Sequence, residues 1–261
     1  MRQILTILAI QICLTSYGQI NIKEIDKSLS KIDEKLYASK YEVSNKLYTN
    51  FLNSLRKANK NDQLAIARID SLKWLNEGSY NKPFVYHYHL HPAYLNYPVV
   101  NITYDAAMLF CEWLSDEYNS NPKRKFKKVL LRLPTEKEWI KAAQGGDTTA
   151  IYPWKGTELK NNKGMYLCNY KRVVAAKTGV TSSNLNNAFN IVSSIESYNP
   201  NKLGLYNMSG NVAEMLIDKT IVKGGSFNDT EEFMRIDSKN NYDGSAAPSV
   251  GFRYFVEIIE K

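Results

Sequence analysis

The residues best placed to do chemistry lie in two short runs. One is Gly204–Glu214, GLYNMSGNVAE, which sets Asn207, Ser209, Asn211 and Glu214 at close spacing around Gly210 and is followed by the Lys223–Phe227 run KGGSF. Glycine takes a positive φ at no steric cost, so the first run reads as a tight turn that gathers oxygen atoms. Calcium takes roughly six to eight oxygens from carboxylates, amides and carbonyls, and this turn supplies those types. The same asparagines can instead tie their own turn together through Asx hydrogen bonds, and both readings stay open on spacing alone. The other run is VYHYHLHPAY, which holds all three histidines of the chain, His87, His89 and His91. As an extended segment it would align them on one face, with neighbours about 6.6 Å apart at strand rise, so that adjacent rings could share a metal. No acid or cysteine stands beside them, and the competing expectation is a loop of hydrogen-bonded or solvated imidazoles before Pro92.

These runs sit in a chain of 261 residues, 44% hydrophobic and 23% charged, which is ordinary for a folded protein able to bury a sizeable core. The net charge of +8 is spread along the sequence. Its densest cluster, Lys123, Arg124, Lys125, Lys127 and Lys128, follows Asn121-Pro122 and reads as a solvated loop. No stacking aromatics or groove-reading motif surround it, so nucleic acid is not an expected partner. Residues 1–18 have the form of an export signal: Arg2, an apolar run Ile4–Leu14, and Ser16-Tyr17-Gly18 ending in a small residue. That run is too short to span a bilayer, so the mature chain is expected to start at Gln19 without a transmembrane helix and to reside in the periplasm, on the cell surface or outside. Cys13 allows a lipid anchor, though bulky Ile12 precedes it. Cys111 and Cys168 then remain, bridged or not.

Elements that could position the two runs follow from periodicity. Ile22, Ile25, Leu29, Ile32 and Leu36 alternate steps of three and four, which predicts an amphipathic helix within residues 19–36. Tyr37–Val43 reads as a strand, with Ser44 as N-cap of a helix over Asn45–Arg56. Ala58–Ser79 is polar and helix-prone, anchored by Trp74 and Leu75. Pro98–Ile102 is expected to be a short strand, and Asp105–Tyr118 a helix burying Ala107, Phe110, Cys111 and Leu114. Thr135 and Glu138 have capping-box spacing, which makes Glu136 and Glu138 structural carboxylates at a helix start before catalytic ones. Beyond Gly145-Gly146 both periods fade, and Gly156–Asn201 is expected to form long ordered loops.

Several blocks together resemble the formylglycine-generating enzyme, or sulfatase-modifying factor, family: YEVSNKLYTNFLN from Tyr41, YPVVNITYDAAMLFCEWLS from Tyr97, LRLPTEKEWIKAAQGG from Leu131, YPWKG from Tyr152, GLYNMSGNVAEM with VKGGSF, and VGFRYF from Val250. The resemblance implies an α+β, C-type-lectin-like domain over residues 37–261, with a small antiparallel sheet, a few helices and long loops. It places one calcium site on Asn207, Gly210, Val212 and Glu214, and another on Asn169, Tyr170, Asn187 and Phe189, where Asn187 replaces the usual carboxylate. Catalytic members of the family carry a cysteine pair that binds Cu(I) and activates oxygen. Soft thiolates select that ion, whereas here the two positions hold Asp229 and Met234. Copper is therefore not expected. The resemblance implies two functions: a non-catalytic exported domain that binds a protein or glycan of the bacterial envelope, as relatives in gliding-motility machinery do, or an active oxidoreductase of the family, formylglycine-generating or like the non-heme iron oxygenases, using a different metal site, for which His87, His89 and His91 are the available imidazoles.

Overall fold

The computed structural model describes residues 20–77, 81–172 and 191–261; the expected signal segment 1–18 lies outside them. The chain opens with α1 (Ile22–Ser28), β1 (Leu29–Lys31) and β2 (Leu36–Ser39). This corrects the helix expected to run on to Leu36. α1 ends at Ser28, and β1 turns back on β2 with Leu29 opposite Ser39 and Lys31 opposite Tyr37. A spacing of three and four fits two helical turns followed by a hairpin as well as it fits two heptads, and strand pairing decides between them.

α2 (Asn45–Lys57) and α5 (Tyr104–Ser120) form where expected. Each starts on a side-chain cap: the Ser44 hydroxyl accepts the Leu47 N–H, and the Thr103 hydroxyl accepts that of Ala106. Between them lie α3 (Asn61–Ile66), a 3₁₀ turn (Ser71–Glu77) and α4 (Lys82–His87). Trp74 anchors this excursion, fully buried against Phe84 and Tyr88, but Leu75 is half exposed and does not. Residues 98–102 form no regular strand; Pro98 makes an isolated bridge to Ser44.

β3 (Lys128–Arg132) leads into α6 (Glu136–Gln144), whose capping box is complete in both directions. Further along the chain come β4 (Ala213–Met215), β5 (Ile221–Lys223), β6 (Lys239–Asn241), β7 (Val250–Gly251) and β8 (Phe255–Glu260). They complete two sheets, β1-β2-β8-β3 and β6-β5-β4-β7, antiparallel except for the β4–β7 pair. Alternation along β2 and β8 splits the interior. Tyr37 and Val256 face a core built with α2 and α5, where Phe51 and Phe110 meet edge to face at 5.6 Å. Ala38 and Phe255 face a second core under Trp139 of α6.

Candidate functional site

The Gly204–Glu214 run takes a left-handed backbone at four positions, Gly204 (φ 78°), Asn207 (φ 51°), Gly210 (φ 78°) and Asn211 (φ 69°). Gly210 is needed for space as well as for φ, because a Cβ there would lie 2.3 Å from the Asn169 carbonyl oxygen. Backbone bonds stitch three loops together at this point: Gly210 N–H to Gly224 O, Asn211 N–H to Asn169 O, and Phe227 N–H to Asn211 O, at 2.8–2.9 Å.

The side chains turn inward to partners far along the chain. Glu214 and Arg253 are both fully buried; Arg253 Nε lies 2.8 Å from each Glu214 oxygen, its Nη2 reaches Oε1, and Trp139 Nε1 donates to Oε2 at 2.7 Å. Arg253 also donates to the carbonyls of Ser39, Lys40 and Tyr206, which clamps the β2 end to the loop. Asn211 Nδ2 reaches both oxygens of Glu42 at 3.0 and 3.1 Å, and Asn207 Nδ2 donates to Oε2 at 2.9 Å. Burial drives the Glu42 carboxyl up to about 8, Arg253 opposing and Glu214 adding to the rise. Lys223 is buried over the Trp139 ring at 5.5 Å with Nζ 3.7 Å from Glu136, and Glu138 makes a bidentate pair with Arg132 at 2.7 Å. Both α6 carboxylates are thus structural.

The expected calcium sets fare unevenly. A carboxylate has about four lone-pair positions; Arg253 and Trp139 aim three N–H donors at those of Glu214, the Arg253 Nε–H shared between both oxygens, and the guanidinium balances its charge. Glu214 therefore does not fit the role of a calcium ligand, and Asn207, Gly210 and Val212 bring no charge of their own. In the second set the Asn169 amide donates to Ile191 O and Ser193 Oγ, and Tyr170 is buried, while Asn187 and Phe189 lie outside the described residues.

Histidines do not align as an extended segment would place them. α4 ends at His87, and the His91 N–H bonds the His87 carbonyl at 2.8 Å, so the backbone is helical there. Pro83 in the first turn favours that helix start. His89 turns inward to Asn45 Oδ1 at 3.0 Å, and burial pushes it down to about 3, so its ring is neutral. His91 Nδ1 accepts the Ala93 N–H at 3.2 Å, so the lone pair of that nitrogen is engaged by the backbone. No group of three or more metal-type side chains occurs among the described residues.

At the two positions where the family's cysteines are expected, Asp229 Oδ2 accepts the Ser226 N–H at 2.9 Å and its hydroxyl at 2.6 Å. Met234 is completely buried beside Tyr152, Cys168 and Tyr170, and its carbonyl accepts the Ser209 hydroxyl. Cys111 and Cys168 are free and buried in separate clusters. Burial raises both thiols, Cys168 to about 12, so neither is a ready thiolate at neutral pH.

Sequence reading missed Glu42 and Arg253 as centres of this network. The signal available was a charged residue inside an apolar run in each case, Tyr41-Glu42-Val43 and Phe252-Arg253-Tyr254.

Two small sheets, capped helices and long stitched loops define an α+β domain of the sulfatase-modifying-factor fold. Residues 15–258 match the sulfatase-modifying factor enzyme 1-like domain, and the chain belongs to that family. It is 28% identical over 174 residues to inactive C-alpha-formylglycine-generating enzyme 2 of Bos taurus, covering 61% of this chain and 50% of that protein. It is 32% identical over 123 residues to the formylglycine-generating enzyme of Thermomonospora curvata, covering 47% of this chain and 34% of that protein. The chain thus spans half or less of the length of these curated relatives. Among solved structures, CarF superposes with a TM-score of 0.55 at 21% identity over 86% of this chain and 87% of that one. Treponema denticola variable protein 1 does so with 0.54 at 19% over 88% and 91%. At such identity the likeness concerns the fold alone.

Proposed function

We propose that this chain is an exported, non-catalytic member of the family that binds a protein or glycan of the cell envelope. The observation that carries the reading is the pair Asp229 and Met234. A hard carboxylate already satisfied by Ser226 and a thioether packed among aromatic rings replace two thiolates, and Cu(I) chemistry needs soft ligands. The relative from Bos taurus whose name describes it as inactive supports the same direction. With catalysis set aside, the long loops on a rigid scaffold are the natural binding surface. Export rests on the signal-like residues 1–18. No helix among the described residues is long and apolar enough to cross a membrane.

Fractionation of the source cells with N-terminal sequencing tests export: a mature chain beginning at Gln19 in the envelope or medium is expected, and an unprocessed cytosolic protein contradicts it. Titration of the purified protein with envelope material, intact or protease-treated, tests binding. Saturable association is expected, and protease sensitivity separates a protein partner from a glycan. Absence of association with either preparation contradicts the reading.

A further inference from the structure

A second constellation lies beside Met234, on residues the loop network does not use. Arg172 places its guanidinium 3.9 Å from the centre of the Tyr166 ring, and Lys160 places Nζ 4.6 Å from the same centre. Both cations are exposed, and among the described residues neither has an ion-pair partner. The Arg172 charge also reaches Tyr198, where it opposes the rise that burial imposes on that hydroxyl. Tyr198 itself sits at φ 63°, a left-handed conformation that a bulky residue rarely adopts. Such strain persists where surrounding structure imposes it, and it gathers at functional sites.

Around the cations the surface is aromatic. Tyr166, Trp154 and Phe233 are half-buried and pack on the cluster that holds Met234 and Tyr170, with Trp154 stacked on Tyr152 at 5.1 Å. Two like charges held at one ring, neither in an ion pair among the described residues, repel each other, and a bound anion relieves that repulsion. Half-exposed aromatic rings beside them offer flat apolar surface of the kind that covers the C–H face of a sugar. We infer that Lys160, Arg172, Tyr166 and Tyr198 form the binding site for an anionic glycan, one bearing carboxylate or sulfate groups. The inference rests on the binding function proposed above and names its ligand.

The test is binding of the purified protein to dextran sulfate, polygalacturonate and neutral dextran, at low and physiological salt. At least one anionic polymer is expected to bind tenfold or more tightly than dextran; retention of one alone identifies sulfate or carboxylate as the group read. Lys160→Ala/Arg172→Ala should weaken that binding tenfold or more, while Lys123→Ala/Lys125→Ala in the basic loop changes it less than twofold. Tyr198→Gly, which relieves the left-handed φ, should keep the melting temperature yet still weaken binding. Equal binding by wild type and the Lys160/Arg172 variant overturns the site but leaves glycan binding in place, as does an equal loss in the basic-loop variant. No anionic polymer bound by the wild type overturns the inference, and a protease-sensitive envelope partner would then still satisfy the broader proposal.

Discussion

Arg253 pairs with the buried Glu214 carboxylate and opposes the rise that burial imposes on Glu42, so its removal leaves Glu214 buried without its charge partner. Breaking a buried pair by deleting one partner costs about 3–5 kcal/mol, so Arg253→Met should lower the urea-unfolding free energy by that amount. Glu214→Leu/Arg253→Met should recover much of the loss, since an apolar replacement of both leaves no unpaired charge. Glu42 sets a pH dependence. Its folded-state carboxyl titrates near 8 against an ordinary value of 4.5, so between those pH values the native state holds a proton that the unfolded chain has released. Stability should therefore be fullest below about pH 4.5 as far as Glu42 is concerned, and its contribution should be lost as pH rises to about 8. Glu42→Gln should flatten that part of the stability curve; an unchanged slope would mean that another group titrates there. Glu214 stood out in the sequence as an oxygen of the turn, but its partner did not. Arg253 lies 39 residues away, and no local spacing predicts that contact.

Elements were legible where the sequence wrote their ends. α2, α5 and α6 each carry a Ser or Thr cap that the structure uses, and α6 adds the reciprocal Glu138 bond to the Thr135 N–H at 2.8 Å. Thr135→Ala should cost about 1 kcal/mol, read as a shift in denaturation midpoint at constant slope. Where periodicity had to decide alone it misled, because a short apolar stripe does not separate a helix from a helix followed by a hairpin. That was the case for Ile22–Leu36. The histidine run failed for a related reason: alternation suggested a strand, while Pro83 and the i to i−4 bond at His91 fix a helical turn. In the central loop, Gly210→Ala should be strongly destabilising, by about 1–3 kcal/mol for the left-handed φ and more for the contact with Asn169.

At the scale of the whole molecule, the order of the sequence blocks carried the fold, because the elements they encode must pack in that order around the same core. What the blocks could not carry was the state of the site. The loop run offered oxygens in a turn, and only the packed structure shows them turned inward to Glu42 and Arg253. The proposed non-catalytic function rests on Asp229 and Met234 standing where a thiolate pair is needed, on a scaffold the family shares. The direct measurement is mass spectrometry of a sulfatase-motif peptide incubated with the purified protein, copper and a thiol reductant. The predicted result is unconverted cysteine at every time point. Conversion of that cysteine to formylglycine over many turnovers would contradict the account.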